Sequence, residues 1–279
     1  MGDLIHFLNG KFVSEEDLLI SPRDLGFSRG YAVSDFLVTH NHQPFKLAEH
    51  IDRLFNSAEM IGLKIPWRKV QIVKWVNETL GKNDKETEKT IKIFVTGGIS
   101  KTLHQAEIPT IIIVINPYLP KPASYYKQKV KAVKYKRPYP QAKTTHYIEA
   151  LRQRSMSKND GADEIIYYDD SQVFEGAGSN LFAVIENKLV TTKSNIISGI
   201  TRNTLLEILK LSIPIEVRDF KFNELLKATE VFLTGSAKGV RTIVEINGKA
   251  VGDGKIGKIT EEVAKQYEEY ISKIAGKKF

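Results

Sequence analysis

Cysteine is absent from all 279 residues of this chain. That excludes disulfides, thiolate catalysis and cysteine-ligated zinc or iron–sulfur centres. Long apolar runs are also missing. The longest, Ile111 to Ile115, is strand-sized, against the ~20 residues of a membrane-spanning helix. The start, Met1-Gly2-Asp3-Leu4, has no basic stretch ahead of an apolar one, so no signal peptide is expected and a cytoplasmic location fits. Neither a P-loop, a Gly-x-Ser-x-Gly elbow nor a His-Glu-x-x-His helix is found. His40-Asn41-His42 puts two rings on one strand face with no evident third ligand, so no metal site is expected. Internal repeats and low-complexity segments are absent as well.

What remains is an ordinary globular composition, 42% hydrophobic and 27% charged. The length suits one large domain or two small ones. The net charge of +8 draws much of its excess from Lys121 to Arg137 and from the tail Lys273 to Lys278. The first stretch interleaves tyrosines with lysines, as nucleic-acid-binding surfaces do. Its plainer reading is a strand with Lys129 and Lys131 outward and Val130 and Ala132 inward.

The chain opens as a hairpin, Leu4 to Leu8 and Lys11 to Val13, around Asn9-Gly10, a pair that tolerates the positive φ of a two-residue turn. Tyr31 to His40 reads as a strand. Leu47, Ile51, Leu54, Ala58 and Ile61 recur at helical spacing. A second helix follows Pro66. Two strands, Lys89 to Val95 and Thr110 to Ile115, flank a loop from Gly97 to Pro109. Proline then clusters in Asn116 to Pro122, and the domain boundary is placed there: residues 1–117, a linker at 118–124, and a second domain over 125–279. The second half predicts a helix over Tyr147 to Lys158, ending at Asn159-Asp160-Gly161. Strands follow over Glu164 to Asp169, Gln172 to Phe174, Asn180 to Glu186, Leu189 to Thr192 and Glu230 to Thr234. A helix starts near Thr201, Asn247-Gly248 forms a second hairpin turn, and an amphipathic helix spans roughly Thr260 to Ala275.

Three segments carry chemistry. Lys143 lies in Ala142-Lys143-Thr144-Thr145-His146-Tyr147-Ile148. Lysine becomes a nucleophile where desolvation or a nearby cation frees its neutral amine, but most lysines are solvated surface charges. Glu175 follows Val173-Phe174 and precedes Gly176-Ala177-Gly178. It is either a buried functional carboxylate or a turn acid beside a glycine bulge. Gly199-Ile200-Thr201-Arg202-Asn203 opens a helix that Thr201 can cap, and the free N–H groups of its first turn can bind an anion. Alone it reads as an ordinary capped helix. Thr234-Gly235-Ser236-Ala237 has the small, hydroxyl-bearing character of a second anion lip. Arg53, beside the apolar stripe of its helix, reads by itself as a surface arginine paired with Glu49 at i−4. An imine-forming amine, a carboxylate that can keep a ring nitrogen protonated and a phosphate-holding helix end are together the parts needed to run pyridoxal phosphate.

In order along nearly the whole chain, these segments resemble the class IV aminotransferases, the fold-type-IV pyridoxal-phosphate enzymes. Glu49-His50-Ile51-Asp52-Arg53-Leu54 with Ser57-Ala58 looks like the family's small-domain helix, whose arginine binds cofactor phosphate. Lys143 falls at the lysine that holds the cofactor, and Tyr147 at a tyrosine near the ring hydroxyl. The Glu175 to Phe182 segment, with Asn180, is similar to the one whose glutamate pairs with the pyridine nitrogen. Gly199-Ile200-Thr201-Arg202 resembles the phosphate cup. Gly235-Ser236-Ala237 resembles the Gly-Thr-Ala loop of branched-chain members, and Gly252 to Gly257 a late glycine-rich turn.

The resemblance implies an α+β fold: a small α/β domain plus a larger β-barrel-like domain with flanking helices. It implies pyridoxal 5′-phosphate held by Arg53, Lys143, Tyr147, Glu175, Asn180, Ile200, Thr201 and Ser236. The substrate site would be shaped by Tyr31, Ser34, Phe36, Gly235 and Ala237. The enzyme would be a homodimer, binding neither membrane nor nucleic acid, and would move an amino group between a branched-chain or hydrophobic L-amino acid and a 2-oxo acid. Aminodeoxychorismate lyase and D-amino-acid aminotransferase are the alternatives within the family. A non-catalytic nucleic-acid- or anion-binding protein is the rival outside it. Several residues depart from the pattern. Arg29 stands where an aromatic is usual, Ser34 replaces a wall aromatic, Asp35 replaces glutamate and His146 replaces asparagine. Val95-Thr96-Gly97-Gly98 lacks the arginine of D-specific enzymes.

Overall fold

The computed structural model describes residues 4–104, 106–119, 127–156 and 162–276. It divides into two compact units: residues 1–120 with 141–146, and 121–140 with 147–279. The segment carrying Lys143 therefore lies with the first unit, whereas the boundary read from sequence puts it in the second. Most of the expected linker, 118–124, falls outside the described residues, as do Tyr125 and Tyr126, the end of the helix expected over Tyr147 to Lys158, its Asn159-Asp160-Gly161 stop, and Lys277 and Lys278 of the tail.

The first unit is an antiparallel six-stranded sheet with two helices on one face. Its strands are β1 (His6–Leu8), β2 (Lys11–Val13), β3 (Ala32–His40), β4 (Gln43–Pro44), β5 (Lys89–Ile99) and β6 (Ile108–Pro117), in the order β2-β1-β6-β5-β3-β4. The Asn9-Gly10 hairpin forms as its chemistry predicts, with φ of 46° and 91° at the two residues. A short helix, α1 (Leu25–Arg29), precedes β3; Asp24 caps it by accepting the Gly26 N–H. α2 (Leu47–Met60) buries Ile51, Leu54 and Ala58 of the predicted stripe. α3 (Lys69–Gly81) adds Ile72 and Val76. Against them pack Val33, Leu37, Ile91, Ile93, Ile111, Ile113 and Ile115, the alternate residues of β3, β5 and β6. Asp35 shares that inward-facing register, which puts a carboxylate under α2. The loop expected over Gly97 to Pro109 is shorter than predicted, because β5 continues through an irregularity at Gly97-Gly98 and Ile99 pairs with Ile108.

The second unit is a nine-stranded mixed sheet with flanking helices. Its strands are β7 (Lys127–Lys134), β8 (Glu164–Tyr168), β9 (Val173–Gly176), β10 (Asn180–Ile185), β11 (Lys188–Thr191), β12 (Ile215–Val217), β13 (Glu230–Gly235), β14 (Gly239–Ile246) and β15 (Lys249–Ala250). The order is β12-β11-β10-β13-β14-β7-β8-β9, with β15 on β14. α4 (Ile148–Met156), α5 (Ile200–Ile208), α6 (Phe222–Leu225) and α7 (Lys258–Ile274) complete it. β10 is buried at every position because both its faces are covered. Leu181, Ala183 and Ile185 join one cluster with Val231, Leu233 and Ile243. Phe182 and Val184 join another with Leu205, Val263 and Tyr267 of α5 and α7. Phe182 stacks on Phe232, its partner in β13, at 5.0 Å. A strand buried on both sides has no polar alternation, which explains the uninterrupted Leu-Phe-Ala-Val-Ile.

Candidate active site

In the first unit, Lys143 is fixed through its backbone. The Ser34 N–H donates to the Lys143 carbonyl at 2.9 Å, and the Thr145 N–H donates to the Ala32 carbonyl at 3.2 Å. Val33 and Thr144 form a bridge. The segment thus acts as a short extra edge on β3. From the other side, the Lys143 N–H donates to Ser57 Oγ of α2 at 3.0 Å. Ser57 and Ser34, both in the expected motifs, are buried. The half-buried Lys143 is therefore held to within its side-chain rotamers, which is what orienting a nucleophile requires.

Beside it lies a charged cluster. Asp35, fully buried, accepts from Arg53 Nε at 2.9 Å and Nη2 at 2.8 Å, from His50 Nδ1 at 2.6 Å and from the Phe36 N–H at 2.7 Å. Burial by itself would raise the Asp35 pKa. The Arg53 charge, with hydrogen bonds from His50 and Arg53, holds it instead well below the usual carboxylate range. The ionised Asp35 makes His50 Nδ1 the donor, which leaves Nε2 an acceptor, buried with no partner. Burial lowers the His50 pKa, and the charges of Arg53 and Lys143 act in the same sense against Asp35. Arg53 pairs with Asp35 and not with Glu49 as helix spacing suggests, because a bidentate buried carboxylate outcompetes an exposed i−4 one. Of the expected substrate-site residues, Ser34 and the half-buried Phe36 alternate with Asp35 on the opposite face of β3. Tyr31 lies against Gly97: a Cβ added there would meet its ring at 2.5 Å, and one on Gly98 would meet the Ile108 carbonyl at 1.7 Å.

In the second unit, Glu175 sits within β9, 4% exposed, so it is not a turn acid. Its Oε2 accepts from Asn180 Nδ2 at 3.0 Å and from the Ile197 N–H at 3.1 Å. Its Oε1 pairs with Arg137, which also donates to the Pro140 carbonyl at 2.7 Å. Asn180 Nδ2 donates as well to the Ile197 carbonyl at 2.8 Å. Gly199, not Thr201, is the N-cap of α5. A Cβ on Gly199 would lie 1.8 Å from Asn180 Oδ1, so the helix start and the glutamate's support touch. Thr201 lies inside the first turn, buried, with its hydroxyl unpartnered. Arg202 turns the other way: its Nε donates to Thr191 Oγ1 at 3.1 Å and its Nη2 to the Thr192 carbonyl at 2.9 Å. Thr234, opposite Asn180 in the β10–β13 register, also has an unpartnered buried hydroxyl. It leads into half-buried Gly235-Ser236-Ala237. Tyr147 packs on the apolar cluster that includes Phe174 and Ala177, to either side of Glu175.

Lys143, Arg53, Tyr31, Ser34 and Phe36 are thus grouped in one unit. Glu175, Asn180, Ile200, Thr201, Tyr147 and the Gly235 to Ala237 turn are grouped in the other. Asp35, His50 and Arg137 were not singled out from sequence as members of the cluster. Their roles depend on partners 15 to 38 residues away in the chain. For Asp35 and His50 a signal existed, since both lie within quoted motifs.

The residues present fit pyridoxal 5′-phosphate. A helix N-terminus with a buried, unsatisfied hydroxyl suits a phosphate. A buried carboxylate immobilised by an arginine and an amide suits a protonated ring nitrogen. A lysine with an anchored backbone suits a covalent link.

Comparison with known proteins agrees. The family model for amino-transferase class IV matches residues 32–246. A putative branched-chain-amino-acid aminotransferase of Methanocaldococcus jannaschii is 28% identical over 281 residues, covering 96% of each chain. A D-alanine aminotransferase of Staphylococcus epidermidis is 28% identical over 276 residues, covering 95% of this chain and 97% of the other. Among solved structures, the branched-chain aminotransferase of Thermoproteus uzoniensis with norvaline superposes with a TM-score of 0.87 at 27% identity, over 99% of this chain and 96% of that one. The Escherichia coli branched-chain enzyme shares the fold, with a TM-score of 0.87 at 23% identity, over 96% and 95%. The α+β, fold-type-IV architecture expected from the motifs is the one observed, and the chain belongs to the class IV aminotransferases.

Proposed function

We propose that this enzyme uses pyridoxal 5′-phosphate to move the amino group of a branched-chain or other hydrophobic L-amino acid to a 2-oxo acid such as 2-oxoglutarate. When bound, the cofactor's cationic ring draws electron density from the substrate Cα. Lys143 would hold the cofactor and, once displaced by the amino donor, carry the proton between substrate Cα and cofactor C4′. Glu175 would accept the pyridine N–H, its carboxylate kept in place by Arg137 and Asn180. Arg53, the first-turn N–H groups at Ile200 and Thr201, and Ser236 would hold the phosphate. Tyr147 would border the ring hydroxyl. Tyr31, Ser34, Phe36, Gly235 and Ala237 would bound the substrate. The observation that carries this reading is the Glu175 cluster: a buried carboxylate bonded by Asn180 and Ile197, paired with Arg137, and bordering a helix start whose Thr201 hydroxyl has no partner.

The L-specific reading draws support from Gly97 and Gly98. Tyr31 and the Ile108 carbonyl fill the space a side chain would need there, so an arginine for the carboxylate of a D-amino acid cannot be accommodated without displacing them. A nucleic-acid role draws less: Lys129 pairs with Glu245 at 3.3 Å and Lys134 with Asp170 at 2.7 Å. Homodimer formation is part of the proposal. Ile99 and Ile108 oppose each other across β5 and β6 at 53% and 80% exposure, and Phe27 of α1 is 75% exposed. Exposed apolar groups of this size favour association. A cytoplasmic location is part of the proposal, and among the described residues no helix is long and apolar enough to cross a membrane. The test is a donor panel on protein reconstituted with pyridoxal phosphate. Glutamate formation from 2-oxoglutarate with leucine, isoleucine or valine is expected. Pyruvate release from aminodeoxychorismate alone, or turnover of D-alanine alone, would overturn the substrate assignment.

A further inference from the structure

Glu164 is a buried acid that the proposed chemistry does not use. It opens β8 and is 2% exposed. Two cations reach it: Lys238, in the turn between β13 and β14, and Arg154 Nη2, on α4 at 3.1 Å. Its Oε1 also accepts the Ile165 N–H at 3.1 Å. Burial would raise its pKa, but the Lys238 charge and hydrogen bond, with Arg154 and the Ile165 N–H, bring it below the usual range. Glu164 is therefore a carboxylate anion inside the protein, a costly arrangement unless both charges are held in good geometry.

Each segment it touches carries residues of the proposed site. Arg154 belongs to the helix that Tyr147 leads into. Lys238 closes the Gly235-Ser236-Ala237 turn, its N–H donating to the Gly235 carbonyl at 2.9 Å. The Lys238 amine also runs beside the glycine turn after Glu175, since a Cβ on Gly178 would lie 3.9 Å from Lys238 Nζ. A Cβ on Gly235 would in turn lie 3.5 Å from the Gly178 carbonyl. One carboxylate thus ties together the Tyr147 helix, the glycine turn after Glu175 and the Ser236 turn.

We infer that Glu164 is a positioning residue: through Lys238 it locks the Ser236 turn against the Glu175 turn, and so sets how firmly the cofactor phosphate and the substrate are held. The inference rests on the assignment of Ser236 and Thr201 to the phosphate, but the lock itself has a readout that does not. In wild-type apoprotein, Lys238, its side chain 19% exposed, should resist reductive methylation, scored by mass spectrometry, better than exposed lysines but less than Lys89, whose side chain is 3% exposed. In Glu164→Gln it should label about tenfold faster while Lys89 stays protected, since removing one partner of a buried pair frees the other. Pyridoxal phosphate affinity of the apoprotein should fall about tenfold, with KM for the amino donor rising more than kcat falls. The exchanged pair Glu164→Lys with Lys238→Glu should recover part of both. If Glu164→Gln does not fold, Lys238→Met tests the same contact from the partly exposed side and should weaken cofactor binding alike.

Unchanged Lys238 labelling with unchanged cofactor affinity would overturn the inference. So would a variant in which Lys89 and Lys238 become labelled together, since that is general loosening. If wild type binds no pyridoxal phosphate at all, the functional proposal fails while the labelling still decides the lock.

Discussion

At the scale of single residues, the proposed chemistry turns on Lys143. Its backbone contacts, with Ser34 and Ser57, use groups outside its side chain, so Lys143→Ala should fold normally. It should lose transaminase activity by about a thousandfold or more, the scale of losing both covalent and proton-transfer roles. The yellow colour of lysine-linked cofactor should vanish, and borohydride followed by mass spectrometry should trap the adduct on Lys143 of wild type alone. The Asp35–His50–Arg53 cluster gives a second prediction. Both Asp35 and His50 have folded pKa values below their unfolded ones. Each therefore contributes stability at neutral pH that is lost on acidification, His50 from about pH 6.5 downward and Asp35 from about pH 3.9 downward. Melting temperature should fall as pH drops from 7 to 5. His50→Gln should flatten that slope, because glutamine still donates to Asp35 but does not titrate. A slope unchanged by His50→Gln would remove His50 from the account. Lys143, Glu175 and Thr201, which the proposal places at the site, stand out in sequence because each sits in a compact motif. The Arg53–Asp35 and Arg137–Glu175 pairs were not, because nothing local to an arginine says which distant carboxylate it will meet.

At the scale of elements, the start of α5 combines a structural economy with the proposed phosphate site. Its first turn holds a buried hydroxyl, Thr201 Oγ1, that has no hydrogen-bond partner among the described residues. An unsatisfied buried hydroxyl costs ~1 kcal/mol or more, so isosteric Thr201→Val should leave the apoprotein as stable or raise its melting temperature. If the hydroxyl serves phosphate, the same substitution should weaken pyridoxal phosphate binding by about tenfold. Calorimetry of the apoprotein and a cofactor titration read the two effects separately, and a variant less stable yet equally avid would contradict this use of Thr201. Elements with strong periodicity or turn chemistry were readable: the Asn9-Gly10 hairpin, α2 with its apolar stripe, and β10 with its unbroken hydrophobic run. Others were not. α1 and α6 span five and four residues, too short for a period to register. Sequence places the N-cap two residues too late, because Thr201 is the better capping side chain while Gly199 is required sterically beside Asn180.

At the scale of the whole molecule, composition and motif order were enough for the fold class, but the division into units was not fully readable. Residues 141–146 join the first unit through main-chain hydrogen bonds to Ala32 and Ser34, and backbone pairing of a lone segment leaves no side-chain pattern to find. Association with a second copy is part of the proposal at whole-molecule scale, and the first unit offers an exposed apolar edge for it. Ile99 and Ile108 are cross-strand partners at an end of the sheet, with Leu19 at 73% and Phe27 at 75% exposure in the chain leading to β3. None of these side chains enters the apolar core formed by β3, β5, β6, α2 and α3. Replacing them should therefore cost the unit's own fold ~0.5 kcal/mol or less, whereas a charge within a buried subunit interface costs several times that. Ile108→Lys combined with Phe27→Asp should convert a dimer to monomer in light scattering across micromolar concentrations, with the circular dichroism spectrum retained. A wild type that is monomeric at all these concentrations, or a double variant that stays dimeric, would show that this apolar edge is not where two copies meet.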